Sequence, residues 1–246
     1  MPIVESVLAP LRDPRLAAKL AEHATSPSPA WLWSTDGSRI LWANAVGAAL
    51  FAAADVAECT ARRFGAPDPV AAQIVRLATT LPQPGQARLE RLRGFAADFG
   101  RALTCACSRL ALADGSAAVL VAAAEPAGPP LLLSERVRRL IPDREQTLAA
   151  FAPDGKLLYA TEPALKRFAG PSVLSAIGVE AIAAAALAGN GGDGATCCGV
   201  LTVERLGSGA STVLVLTFGL PPSETQARAS AAESIAPAAA SAASAV

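Results

Sequence analysis

The chain has 246 residues, 21 basic and 21 acidic side chains, one histidine and five cysteines. Charged residues make up 17%, below the roughly 25% of an ordinary soluble domain; about a quarter of the chain is alanine, and arginine outnumbers lysine about sixfold. Zero net charge without a basic block argues against nucleic acid or an anionic membrane as partner, and a single histidine excludes most histidine-dependent catalysis and any multi-histidine metal site.

The length suggests one or two domains with a real core. No stretch reaches the ~20 apolar residues of a spanning helix. The best charge-free candidate, Gly209–Ser223, is shorter and closed by Pro221-Pro222. The amino terminus lacks a basic start before an apolar core, so it is not a secretory signal. Odd, irregularly spaced cysteines do not make an extracellular disulfide framework. A soluble cytoplasmic protein is expected.

Val4, Leu8 and Leu11, then Leu16 and Leu20, recur near helical spacing, with Pro14 starting a second segment. This amphipathic Val4–Leu20 stretch is the expected dimer contact. Ser26-Pro27-Ser28-Pro29 ends it. Trp31–Thr35 and Arg39–Ala43 read as strands around an Asp36-Gly37 turn, a hairpin signal because glycine accepts positive φ. Asn44 caps an alanine-rich helix over Ala45–Ala54, and a further helix is expected at Pro69–Thr80. Arg88–Phe95, Arg101–Ala113 and Ser116–Ala124 follow as strands. Leu132–Ile141 reads as a connecting helix capped by Ser134. Then come a strand over Thr147–Ala152, an Asp154-Gly155 turn, a strand over Lys156–Ala160 and a helix over Pro163–Phe168. Ser172–Ala188 is largely helical, Gly189–Gly194 a loop, and Thr196–Leu206 and Ser211–Gly219 a closing pair of strands. Past Pro221-Pro222 the chain is Ala/Ser/Pro/Glu low complexity, a flexible linker or tail.

The pattern repeats. Leu41–Phe51 aligns without gaps on Leu158–Phe168, Thr104-Cys105 falls on Thr196-Cys197, and Val119–Val121 falls on Val213–Val215. Two copies with a long period argue against a solenoid. The expected organisation is a helical segment at 1–26, domains at 27–125 and 146–221, a linker helix at 126–145 and a tail from 222 to 246.

The order of elements and the run from Ala30 to Phe51, with Trp31–Thr35, Asp36-Gly37 and Ile40–Asn44, resemble the PAS domain family. The resemblance covers Ser28–Glu125 well and Gln146–Leu220 in part, where Thr161 replaces the expected asparagine. It implies an α+β fold of two PAS-like domains, each an antiparallel sheet of about five strands with helices on one face. It further implies a signal-sensing and dimerisation module, a homodimer, resembling the input region of a bacterial sensor histidine kinase whose catalytic transmitter is outside the chain. A histidine followed by an acid, with a proline five positions on, encoded after Val246 would mark that transmitter. A protein-docking adaptor that holds no ligand, or a stand-alone enzyme, are the alternatives.

Candidate chemistry is sparse. His23 lacks the acid and the proline spacing of a phosphoacceptor box, and it precedes the domain, so haem by histidine ligation is not expected. Gly189–Gly194 does not open a helix as a phosphate cradle would. Cys105 and Cys107 share a strand face, as packing residues or as a redox pair, without the C-x2-C knuckles of a zinc site. Cys59 lacks the Asn-Cys-Arg context of a covalent flavin adduct. Asp36 and Asp154 read as turn residues and not as paired acids. Trp31, Trp33, Trp42, Asn44 and Phe51 are the ligand-pocket candidates, with core or interface anchoring as the competing role.

Overall fold

The computed structural model describes residues 14–65, 67–82, 85–95, 102–141, 146–168, 174–189, 191–196 and 199–219. The first half carries helix α1 (Pro14–Ala24), strands β1 (Ala30–Ser34) and β2 (Ile40–Ala43), and helices α2 (Ala45–Leu50), α3 (Val56–Ala61) and α4 (Pro69–Thr80). Strands β3 (Ala87–Arg93), β4 (Ala102–Ala111) and β5 (Ala117–Ala123) complete it, and α5 (Leu133–Leu140) connects onward. The second half has β6 (Leu148–Phe151), β7 (Leu157–Ala160), α6 (Glu162–Phe168), α7 (Leu174–Ile177), α8 (Glu180–Leu187), β8 (Gly192–Thr196), β9 (Gly199–Leu206) and β10 (Val213–Phe218).

The fold is α+β. Each half forms a five-stranded antiparallel sheet, in the orders β2-β1-β5-β4-β3 and β7-β6-β10-β9-β8. These are the same order in two copies, the arrangement expected of two PAS-like domains. Even the irregularities repeat: the first hairpin shifts register between Leu32 and Trp33, and the second between Ala150 and Phe151. Both hairpins turn through a glycine at positive φ, Gly37 at 68° and Gly155 at 85°, a conformation that costs other residues strain.

Cross-strand partners fix which residues correspond. Asn44 and Thr161 occupy the same place: the backbone N–H of Asn44 donates to Ala30 and that of Thr161 to Leu148. Ala30 therefore matches Leu148, Trp31 matches Ala149 and Trp33 matches Phe151. Trp31 pairs with Val121, and Ala149 with Leu216. Val119–Val121 thus matches Leu214–Leu216, one residue later than the sequence alignment placed it. Cys105 and Cys107 correspond by the same reasoning to Leu201 and Val203, not to Cys197. A one-residue slip exchanges the faces of a strand, so the difference decides which side chains are core.

Several expected elements change. The helix expected over Ala45–Ala54 stops after six residues, at Leu50, and α3, capped by Asp55, follows it. Leu132, not Ser134, occupies the N-cap of α5 and makes no side-chain cap bond. Gly192–Thr196, expected as loop and strand start, is edge strand β8, paired with β9 from Gly192–Val203 to Thr196–Gly199. Val4–Leu11, Cys197, Cys198 and the low-complexity tail lie outside the described residues.

The alternation of β10 shows how the halves join. Leu214, Leu216 and Phe218 enter a core private to the second half, with Ala149, Phe151 and Val203. Val213 and Val215, on the other face, join Leu148, Ala150 and Leu206 in one core with the first half. Strands covered on both faces carry continuous apolar runs, as in LAAF of β6 and VLVL of β10, all buried.

Helix α1 enters that joint core through Leu16, Ala17, Leu20, Ala21 and Ala24. Its carboxyl end is held by three parts of the chain. Asn44 Nδ2 donates to His23 O at 3.0 Å and Gly207 N to Ala21 O at 2.7 Å. Thr25 Oγ1 donates to Ser211 O, and the buried Arg136 of α5 donates through Nη1 to Thr25 O. The described part of the stretch expected to form a dimer contact, residues 14–20, therefore spends its apolar face within its own chain.

Candidate functional site

In the first half, the space between sheet and helices is filled by aromatic rings. Trp31 and Trp33 project from one face of β1 by period 2 and meet Phe51 of the α2 end. Trp31 lies 5.7 Å from Phe51 and 5.3 Å from Phe95, and Trp33 lies 4.7 Å from Phe64. These tilted and edge-on geometries are the ones ring quadrupoles favour. Trp31 Nε1 donates to Gly47 O at 3.0 Å. Gly47 is required there, because a Cβ would stand 2.7 Å from Ala30 O and 2.8 Å from that nitrogen. Trp33 Nε1 is buried without a partner.

The pocket candidates do not all converge. Trp31, Trp33 and Phe51 meet, but Trp42 pairs with Leu32 and so projects from the opposite face, where Trp42 Nε1 is also unpartnered. Asn44 is fully buried and spends its side chain on the backbone. Its Oδ1 accepts from Gly47 N at 2.8 Å and Ala30 N at 3.2 Å, and its Nδ2 donates to His23 O and to Ser28 O at 2.8 Å.

Cys105 and Cys107 share the inner face of β4 and are fully buried. Burial pushes both thiols, and that of Cys59, up to about 12. Cys107 is raised further by the neighbouring Cys105 and Glu90, while Arg88 and Arg76 oppose the shift. The thiolate is the reactive species, so these positions suit packing. The aspartates of the turns hold their own loops: Asp36 accepts from Ser34 Oγ at 2.6 Å and Ser38 N at 3.0 Å, and Asp154 from Lys156 N at 3.0 Å. The Ser34 and Ser38 hydrogen bonds hold the Asp36 carboxyl below the usual carboxylate range. Burial lowers the His23 imidazole, against the opposing pull of Glu22. Among the described residues, no three His, Cys, Asp or Glu side chains gather as a metal site, and no helix is long and apolar enough to cross a membrane.

The second half keeps a smaller ring cluster, with Phe151 6.2 Å from Phe168 and Phe168 5.5 Å from Phe218. Ala149 stands where Trp31 stands in the first half, and the helices over the sheet are short. A cleft of about 750 Å3 opens beside the β6–β7 turn. Its apolar wall is Leu157, Leu174, Ala183, Leu187 and Leu214, and its rim carries Asp154, Lys156, Ser175 and Glu180. Leu214 is fully buried beneath it, while the polar rim residues are exposed. An apolar wall with polar groups at the mouth suits a molecule with an apolar body and a polar end. Sequence reasoning missed this cleft, since its wall is alanine and leucine without a motif.

No protein-family model matches the chain, and no curated protein matches it. Among solved structures, it is similar to an extracellular ligand binding receptor from Desulfohalobium retbaense DSM5692, at 16% identity over 85% of this chain and 34% of that one, with a TM-score of 0.26. It is also similar to the E. coli DhaR(N)-DhaL complex, at 12% identity over 88% of this chain and 87% of that one, with a TM-score of 0.30. The chain spans about a third of the receptor's length. Neither likeness assigns it to a family.

Proposed function

We propose that the chain is a signal-input module of two PAS-like domains, 27–125 and 146–221, flanked by a helical segment at 1–26, a linker at 126–145 and a tail from 222. The second domain takes up a small ligand, and the first is a closed structural partner. The observation that carries this reading is the cleft beside the β6–β7 turn of the second half, with its apolar wall and polar rim. In the finer reading the module is cytoplasmic, self-associates, and passes its state to a histidine-kinase transmitter. Ligand binding would act by shifting the packing of helices over the second sheet.

The test uses anilinonaphthalene sulfonate, an apolar fluorophore with one polar end, together with native mass spectrometry of the purified chain. Saturable fluorescence enhancement is expected for the natural sequence and loss of it for Ala183→Trp, which fills the cleft. An unchanged response in that folded variant refutes the cleft as the site. Sedimentation of the natural chain reads self-association, and a fusion to a kinase transmitter whose autophosphorylation ignores Ala183→Trp would refute the kinase reading.

A further inference from the structure

Strand β3 is the outer strand of the first sheet, and among the described residues no strand pairs with its free edge. Its backbone already shows what that edge accepts. Gln73 of α4 donates through Nε2 to Arg93 O at 2.8 Å and accepts from Arg93 N at 3.0 Å through Oε1. One side-chain amide thus engages both backbone groups of Arg93, as a residue of a neighbouring strand would. Those groups therefore point away from β4, and in an antiparallel ladder every second residue shares that direction. The backbone N–H and C=O of Leu89 and Arg91 accordingly face outward along the same edge.

The charged side chains on this edge are mostly basic. Glu90 is engaged by Arg88 at 2.7 Å and by Arg76 at 3.2 Å. Arg91 and Arg93 are exposed and project, with Leu89, from the face opposite Glu90. Leu89 is 68% exposed. The strand therefore carries three guanidinium groups and one carboxylate, with Arg76 of α4 beside that carboxylate. Natural edge strands of this kind are blunted by their charges, and uncompensated arginines favour a partner of the opposite sign.

We infer that β3 is a docking edge for an extended acidic segment of another protein, which adds to the first sheet as a sixth strand. Gln73 caps the Arg93 end and so sets the register. The partner's backbone bonds Leu89 and Arg91, an apolar side chain lies opposite Leu89, and an acidic one lies opposite Arg91, where Arg93 reaches it on the diagonal. Run antiparallel, the recognised pattern is acidic, any, apolar. Pairing with a second copy of β3 is disfavoured where it sets arginine against arginine.

The test measures fluorescence anisotropy of a labelled peptide, TETETVT, against the full chain, with TKTKTVT as the control. Saturable binding of the acidic peptide is expected, weakening at least about threefold between low and moderate salt because the contacts are exposed. The lysine peptide should not bind. Leu89→Pro removes one outward N–H and leaves the ladder to β4 intact, so it should weaken binding about tenfold or more. Should that variant not fold, the pair Arg91→Glu and Arg93→Glu tests the same edge through its charge and should weaken binding comparably. The inference is overturned by no binding to the natural sequence, by equal binding of both peptides, or by binding that survives Arg91→Glu with Arg93→Glu. A dimer of the natural chain that Leu89→Pro converts to monomer would also overturn it, since the edge would then belong to a second copy. None of these readings depends on the cleft of the second half.

Discussion

Replacing Asn44 with alanine isolates one side chain that makes four bonds inside the protein. Loss of the N-cap to Gly47 N costs about 1 kcal/mol. Ala30 N and Ser28 O lose their Asn44 partners at 3.2 and 2.8 Å, and each buried orphan costs about 1–3 kcal/mol. His23 O suffers less, because it also accepts from Ser26 N. The sum is roughly 3–7 kcal/mol, a drop of roughly 15 °C in melting temperature for a chain of this size. The repeat supplies the control. Thr161, at the equivalent position, accepts from Leu148 N at 3.1 Å and donates to Gln146 O at 2.6 Å. Asn44→Thr should therefore recover about half of the loss. Urea unfolding followed by circular dichroism measures both variants. A loss below about 1 kcal/mol for Asn44→Ala, or no advantage for Asn44→Thr, would refute the reasoning.

Leu20, fully buried in the joint core, should cost about 2–5 kcal/mol as alanine, and the loss should not vary with protein concentration, as a dimer contact's would. Gly47→Ala should lower stability more than Gly115→Ala in thermal melts, because nothing lies within 4 Å of a Cβ at Gly115 and its cost is only that of positive φ. Cys105 and Cys107 should be inert to an aromatic disulfide reagent at pH 8 in the native state, so the double serine variant should show the same native labelling rate. Glu135, held down to about 2 by hydrogen bonds from Arg138 and Arg139, has a folded pKa below the ordinary 4.5. Any stabilisation it gives over Glu135→Gln is present above pH 4.5 and fades as pH falls toward 2, measurable by urea titrations across that range.

The sequence made the hairpins readable because Asp-Gly turns have a steric cause; the helix expected at Pro69–Thr80 is α4, whose amino end the structure shows capped by Asp68. Strand β8 was unreadable for the opposite reason: GDGAT offers no side-chain alternation, and its strand character comes from backbone bonds to β9. The one-residue offset at β10 arose because Val213–Leu216 is apolar at every position, so that no alternation distinguishes its faces. The fate of α1 depends on Gly207, Ser211 and Arg136, remote in the sequence and individually unremarkable. Within the site, the aromatic pair Trp31 and Trp33 was legible from period 2. The displacement of Trp42 followed from cross-strand register, and the cleft is walled by alanine and leucine that carry no motif.

Thr25 finds its hydroxyl acceptor 186 residues later in the chain, and Arg136 reaches it across 111. During synthesis from the amino terminus, α1 therefore has no complete seat until the β9–β10 connection has left the ribosome. The first sheet can pair its strands well before then, while the apolar stripe of Leu16 and Leu20 waits uncovered. Closing so long a loop is slow relative to local pairing, which makes the docking of α1 the late event of folding and its exposed stripe the stretch for a chaperone to shield.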